Sequence, residues 1–135
     1  MKDFSYETEF VKYYIRKERR ERLLFELTNE KKRQEGLDRF CHECDTLLDK
    51  RKIVLSANDL RRQADFEKYT KGHDETCIIL SPDPSLDGLK MSLKEALERN
   101  KLSFDASIIL GKDICIVRSE AMKQTMEYLL IKETE

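Results

Sequence analysis

Tryptophan is absent from this 135-residue chain, and proline (2) and glycine (4) are scarce. That scarcity excludes collagen-like and low-complexity chains and leaves few obligatory breaks in regular structure. No apolar run approaches the roughly 18 residues that a membrane-spanning helix needs. The opening MKDFSYETEF has no apolar core behind a basic end, so no secretory leader is expected. An excess of one charge is missing too. Lys and Arg number 26 against 27 Asp and Glu, a formal net charge of −1. The balance disfavours both a wholly basic nucleic-acid binder and an acidic disordered chain. The length suits a single domain over residues 1–135 and leaves little room for a second.

The motifs of several common chemistries are missing as well. There is no G-x-S-x-G nucleophile elbow, no G-x-x-x-x-G-K and no G-x-G-x-x-G phosphate cradle. Only His42 and His73 could serve as imidazole bases. No catalytic site and no cofactor are expected, and the sequence identifies no small-molecule ligand. The four cysteines, with no export signal, read as reduced thiols of a cytosolic protein. Cys77 in TCIIL and Cys115 in ICIV sit among β-favouring apolar residues, where a thiol acts as a small hydrophobe.

Cys41-His42-Glu43-Cys44 is the clearest candidate for metal chemistry. Two thiolates one turn apart can converge on zinc, and His73 and Cys77 could complete the set. Against this, both cysteines fall on the apolar stripe of a predicted helix, whereas zinc pairs favour turns. Core thiols are therefore the preferred reading and no bound metal is expected. A redox role lacks the βαβ unit that usually surrounds such a pair. Asp83, Ser85, Asp87 and Gly88 resemble the start of a calcium loop. Lys94 stands where the bidentate Glu belongs, so an ordinary Pro/Asp/Gly loop is expected.

What the chain does contain is helix first and strand later. Asp3 or Ser5 can start a helix whose apolar residues Phe10, Tyr13, Tyr14, Leu23, Leu24 and Leu27 recur at helical spacings over about Ser5 to Gln34. Gly36 fits the end of that helix and Asp38 the cap of a second, reaching about Lys50. A heptad-like series from Leu23 to Leu48 offers one continuous coiled-coil helix as the competitor. Ser56 and Asp59 resemble a capping box for a third helix through Leu60 and Ala64. TCIIL then reads as a buried strand, and Ser92 with Glu95 caps a short helix. SIIL and ICIV flank Gly111-Lys112-Asp113 as a β-hairpin. MEYLLIKE fits both a helix and a strand, and a final strand after one helical turn is expected. The fold class is α+β. Residues 1–70 are mainly helical. Residues 71–135 form a small, mostly antiparallel sheet with a short helix, and the helices lie on one side.

Charge is distributed unevenly along this order. Lys12 to Arg33 holds nine basic and four acidic residues, net +5, and the remainder is mildly acidic. A solvated helix face is the simplest account. The functional alternative is a binding stripe of Lys12, Arg16, Arg19, Arg20 and Arg22. These observations lead to the expectation of a non-catalytic cytosolic protein-interaction module, of the antitoxin or immunity type, with a protein partner and no membrane. RNA or ribosome binding through the basic helix is the alternative. The interrupting glutamates 18, 21, 26 and 30 disfavour it.

Overall fold

The computed structural model describes residues 3–57, 75–102, 106–120 and 125–132. Three helices, α1 (Ser5–Tyr14), α2 (Arg20–Leu27) and α3 (Arg33–Leu47), precede the strands. The strands are β1 (Ile53–Ala57), β2 (Thr76–Leu80), β3 (Lys90–Ser92), β4 (Ser107–Leu110), β5 (Ile114–Glu120) and β6 (Thr125–Ile131). A further helix, α4 (Leu93–Leu102), follows β3 directly. The strands form one antiparallel sheet in the order β1-β6-β5-β4-β2-β3, so the class is α+β as the order of elements implies.

The first third is neither one helix over Ser5 to Gln34 nor a continuous coiled coil. The Asp3 carboxylate accepts from the Ser5 amide at 2.9 Å and helps start α1. Glu7, Phe10, Val11 and Tyr14 then bury one stripe. At Ile15 the backbone becomes extended (φ −104°, ψ 142°) and forms a single antiparallel bridge with Leu48. The Arg16 amide donates to the Leu47 carbonyl at 2.9 Å, and the Asp49 amide to the Tyr14 carbonyl at 2.8 Å. These bonds satisfy backbone groups that helix ends leave open, so tertiary pairing overrides local helix preference here. A 3-10 turn, Lys17–Arg19, leads into α2.

Gly36 does not end a helix, nor does Asp38 cap one. Both lie inside α3, and α2 stops earlier, at Leu27. The Thr28 hydroxyl turns back to the Leu24 carbonyl at 2.8 Å, and Asn29 accepts from the Lys31 amide at 3.0 Å. Such side chains compete with the helical ladder and favour a turn. Gly36 serves packing instead. A Cβ there would lie only 2.8 Å from the Cβ of Glu26 on α2, so the bare backbone lets the two helices approach. α3 is bent at Glu43, whose φ and ψ are −121° and 22°.

Side chains alternate across the sheet. Ile78, Leu80, Ile108, Cys115, Val117 and Leu130 join Phe10, Tyr14, Leu23 and Phe40 of the first three helices in one apolar cluster. Cys77, Ile79, Ile109, Ile116 and Leu129 face the other way, with Leu93 and Ala96 of α4. Helices thus cover both faces, not one as expected. The unbroken apolar runs TCIIL and SIIL suit strands buried on both sides. Arg118 and Glu127, opposite each other on β5 and β6, form a buried ion pair at 2.9 Å.

The expected hairpin is present, with Leu110 opposite Cys115 and the Gly111 amide donating to the Ile114 carbonyl at 2.9 Å. Ser92 accepts from the Glu95 amide at 3.2 Å, as a cap should. The C-terminal segment is strand β6. Ser56 lies within β1, a strand the sequence reading omits, opposite Tyr128. The remainder of the expected third helix, with Leu60 and Ala64, lies outside the described residues, as does His73.

Arg33, the first residue of α3, fastens these layers together. Its Nη1 donates to Glu7 of α1 at 2.5 Å and to the Leu27 carbonyl at 2.9 Å. Its Nε and Nη2 grip Asp87, in the β2–β3 connection, at 2.7 and 3.0 Å. Gln34 beside it donates to the Pro82 carbonyl at 3.0 Å.

Gly36→Ala should lower stability even though helix propensity alone favours alanine by about 1 kcal/mol, because the new methyl meets a rigid Cβ. A higher urea midpoint for this variant would contradict the close crossing of α2 and α3. Ile116→Asp should cost about 4 kcal/mol or more, since it places an unpaired charge in the second core. Near-native thermal unfolding of that variant would show the sheet register to be wrong.

Candidate functional site

The Ile15–Leu48 bridge decides which charges meet. It sets Arg16 and the residues after it beside the C-terminal half of α3, and Tyr14 beside Asp49 at the start of the basic 3-10 turn Lys50–Lys52. The five expected contact residues are thereby divided. Arg20 is half-buried and its Nε donates to the Ile15 carbonyl at 2.9 Å, which supports the helix break. Arg16 reaches the Thr46 carbonyl at 3.3 Å and Glu18 at 3.2 Å. Arg19 and Arg22 are exposed, and Arg22 lies 3.9 Å from Glu26. Lys12 lies on the other side of the bridge, 5.3 Å above the Tyr13 ring.

Arg19 and Arg22 line a surface groove of about 510 Å³ together with Arg39, His42, Glu43, Asp45, Thr46 and Leu47 of α3. Arg39, His42, Glu43 and Thr46 share one flank of the helix at spacings of three and four. Arg39 is held by Glu26 and lies 3.9 Å from Glu43. The His42 Nδ1 donates to the Asp38 carbonyl at 2.8 Å. Phe25 follows Arg22 by three residues on α2, so the two are surface neighbours, and it is 59% exposed.

A second cationic group surrounds Tyr13. The Lys132 ammonium stands 4.3 Å over its ring, and Lys52 donates to the Lys132 carbonyl at 2.6 Å. Lys52 lies just before β1 and Lys132 just after β6, and the pairing of those two strands brings them together.

The four candidate metal ligands do not converge. Cys41 and Cys44 are buried in the helix-side core, whereas Cys77 faces the opposite side of the sheet. His73 lies outside the described residues, among which no three His, Cys, Asp or Glu side chains are grouped for a metal. Burial pushes the Cys44 and Cys77 thiols up to about 11, and Cys115 higher still. In the calcium-like loop, Asp83 accepts from the Ser85 amide at 2.9 Å and Asp87 is taken by Arg33. Gly88 supplies the left-handed backbone, φ +88°, that closes the turn. No helix among the described residues is long and apolar enough to cross a membrane.

No protein-family model, characterised protein or solved structure matches the chain. Arg39, Glu43, Asp45, Phe25 and Lys132 are the surface residues that the sequence reading does not single out. The helical spacing of residues 39, 43 and 46 was the available signal, but it does not reveal contact with Arg19 and Arg22.

All four thiols are buried. The native chain at pH 8 should therefore react slowly with a thiol-specific disulfide reagent and release four equivalents in urea. One rapidly reacting native thiol would contradict the placement. The raised thiol values also predict the sign of a pH effect. An unfolded thiol ionises near about 8.5, so stability should be fully present below that pH and decline as pH rises towards about 11.

Proposed function

We propose that the chain is a non-catalytic cytosolic protein-interaction module, of the type in which an antitoxin or immunity protein covers its toxin. It docks through the exposed flank carrying Arg19, Arg22 and Phe25. The observation that carries this reading is Phe25, a large aromatic left 59% exposed beside arginines on a charged helix. Aromatic residues and arginine are the usual anchors of protein interfaces, and the aromatic gains most when a partner removes it from water. The surrounding cations steer an acidic partner and raise its association rate. The lack of a catalytic motif in the sequence supports a binding role.

A second reading, RNA binding, draws on Tyr13 amid Lys12, Lys52 and Lys132. Single-stranded nucleic acid stacks bases on open aromatic faces. The Lys132 ammonium at 4.3 Å already occupies a face of this ring, so Tyr13 suits cation contact better than stacking. The protein reading ranks first.

Affinity purification from the native cell extract tests the choice. A stoichiometric protein should be retained after nuclease treatment and lost from an Arg22→Glu/Phe25→Ser variant. That variant should remain folded, with stability changed by roughly 0.5 kcal/mol or less per site, because both side chains are mainly in solvent. Retained nucleic acid, with affinity falling steeply in salt, would promote the RNA reading.

A further inference from the structure

We infer that the groove between α2 and α3 receives a polypeptide segment presenting an acidic and a basic side chain close together, and that it disfavours nucleic acid. The inference rests on the protein-binding reading and specifies the chemistry of the partner. About 510 Å³ is room for a few side chains. Arg19 and Arg22 are the exposed arginines of the expected stripe that line the groove, in contrast to Arg16, which reaches Thr46 and Glu18, and to Arg20, which is spent on the Ile15 carbonyl. Arg39 adds a third guanidinium, fixed in place by Glu26 and Glu43. A carboxylate entering the groove therefore meets planar donors suited to it.

The same hollow carries two exposed carboxylates, Glu43 and Asp45. A nucleic-acid strand repeats a negative charge at every nucleotide and has no cation to set against them. Like charges brought together at an interface select against that partner. A polypeptide meets both requirements by pairing its acidic residue with the arginines and a neighbouring lysine or arginine with Glu43 and Asp45. Mixed charge within one small groove thus selects for a polypeptide.

Amide chemical-shift titration at low ionic strength tests this, with two probes: an alternating Glu-Lys dodecapeptide and a uridine dodecamer. The peptide should shift amides of residues 19–22 and 39–47 saturably. Arg19→Ala/Arg22→Ala should weaken it several-fold, and Lys31→Ala/Lys32→Ala, which removes the same charge from exposed sites outside the groove, should not. Glu43→Gln/Asp45→Asn should weaken the peptide and strengthen the uridine dodecamer. Each variant's own spectrum reports whether it is folded. Unchanged or tighter peptide binding by Glu43→Gln/Asp45→Asn overturns the inference, as does a groove that takes the uridine dodecamer in preference to the peptide. If the peptide leaves the groove amides unmoved while a protein still co-purifies through Arg22 and Phe25, the groove assignment falls and the module reading survives.

Discussion

The guanidinium of Arg33 is the constraint from which the arrangement of layers follows. It contacts α1 through Glu7, the last carbonyl of α2 at Leu27, and the β2–β3 connection through Asp87, while itself opening α3. Four directed hydrogen bonds from one planar group fix three elements in a single geometry. A lysine would bring a compact charge without the fork. Such partly buried ion pairs add little net stability over an apolar alternative, because desolvation offsets attraction. Removing one partner is different, and costs about 3–5 kcal/mol when it leaves a charge uncompensated. Loss of Arg33 would take from Glu7 and Asp87 the guanidinium that both accept from.

With the helices fixed in this way, a small backbone event shapes the surface. The Ile15–Leu48 bridge and its two flanking hydrogen bonds turn an otherwise helical segment through a sharp corner. Each such bond contributes about 0.5–1.5 kcal/mol. Together with the full burial of Ile15 and Leu48, they stabilise the break. The corner sorts a uniform-looking run of cations into different roles. Arg20 stabilises the turn, Arg16 braces the end of α3, and Arg19 and Arg22 line the groove beside α3.

Much of the sheet is legible in the sequence because its signals are local. TCIIL, SIIL and the Gly111 hairpin declare themselves by composition and turn residues, and Ser92 by its spacing from Glu95. β1 is not legible, because IVLSA is short and its serine reads as a helix cap. Pairing with β6 makes it a strand. Gly36 misleads for a similar reason. A glycine between helical stripes reads as a stop, while its role is to admit Glu26 of a neighbouring helix. For the candidate surface, the apolar stripe places Cys41 and Cys44 in the core, and alternation along β2 puts Cys77 on one face of a strand. Which face of the sheet α3 covers is a tertiary fact, and only that fact separates Cys77 from the pair. Likewise nothing in a helical repeat distinguishes Arg20 from Arg19, since the difference is made by the Ile15 carbonyl.

The strand order carries a consequence for biosynthesis. Among the described residues β1 pairs with β6 alone, the last of the strands, and β2 joins the body of the sheet through β4. A growing chain leaving the ribosome thus exposes IVLSA long before its partner is translated, whereas TCIIL has β3 as an early neighbour and waits for β4. Unpaired strands of this kind are aggregation-prone, and closing such long loops slows assembly. The helical layer, by contrast, is assembled from neighbouring segments and comes first in translation. Its apolar side is the one that Ile78, Leu80, Ile108 and Val117 meet in the finished sheet.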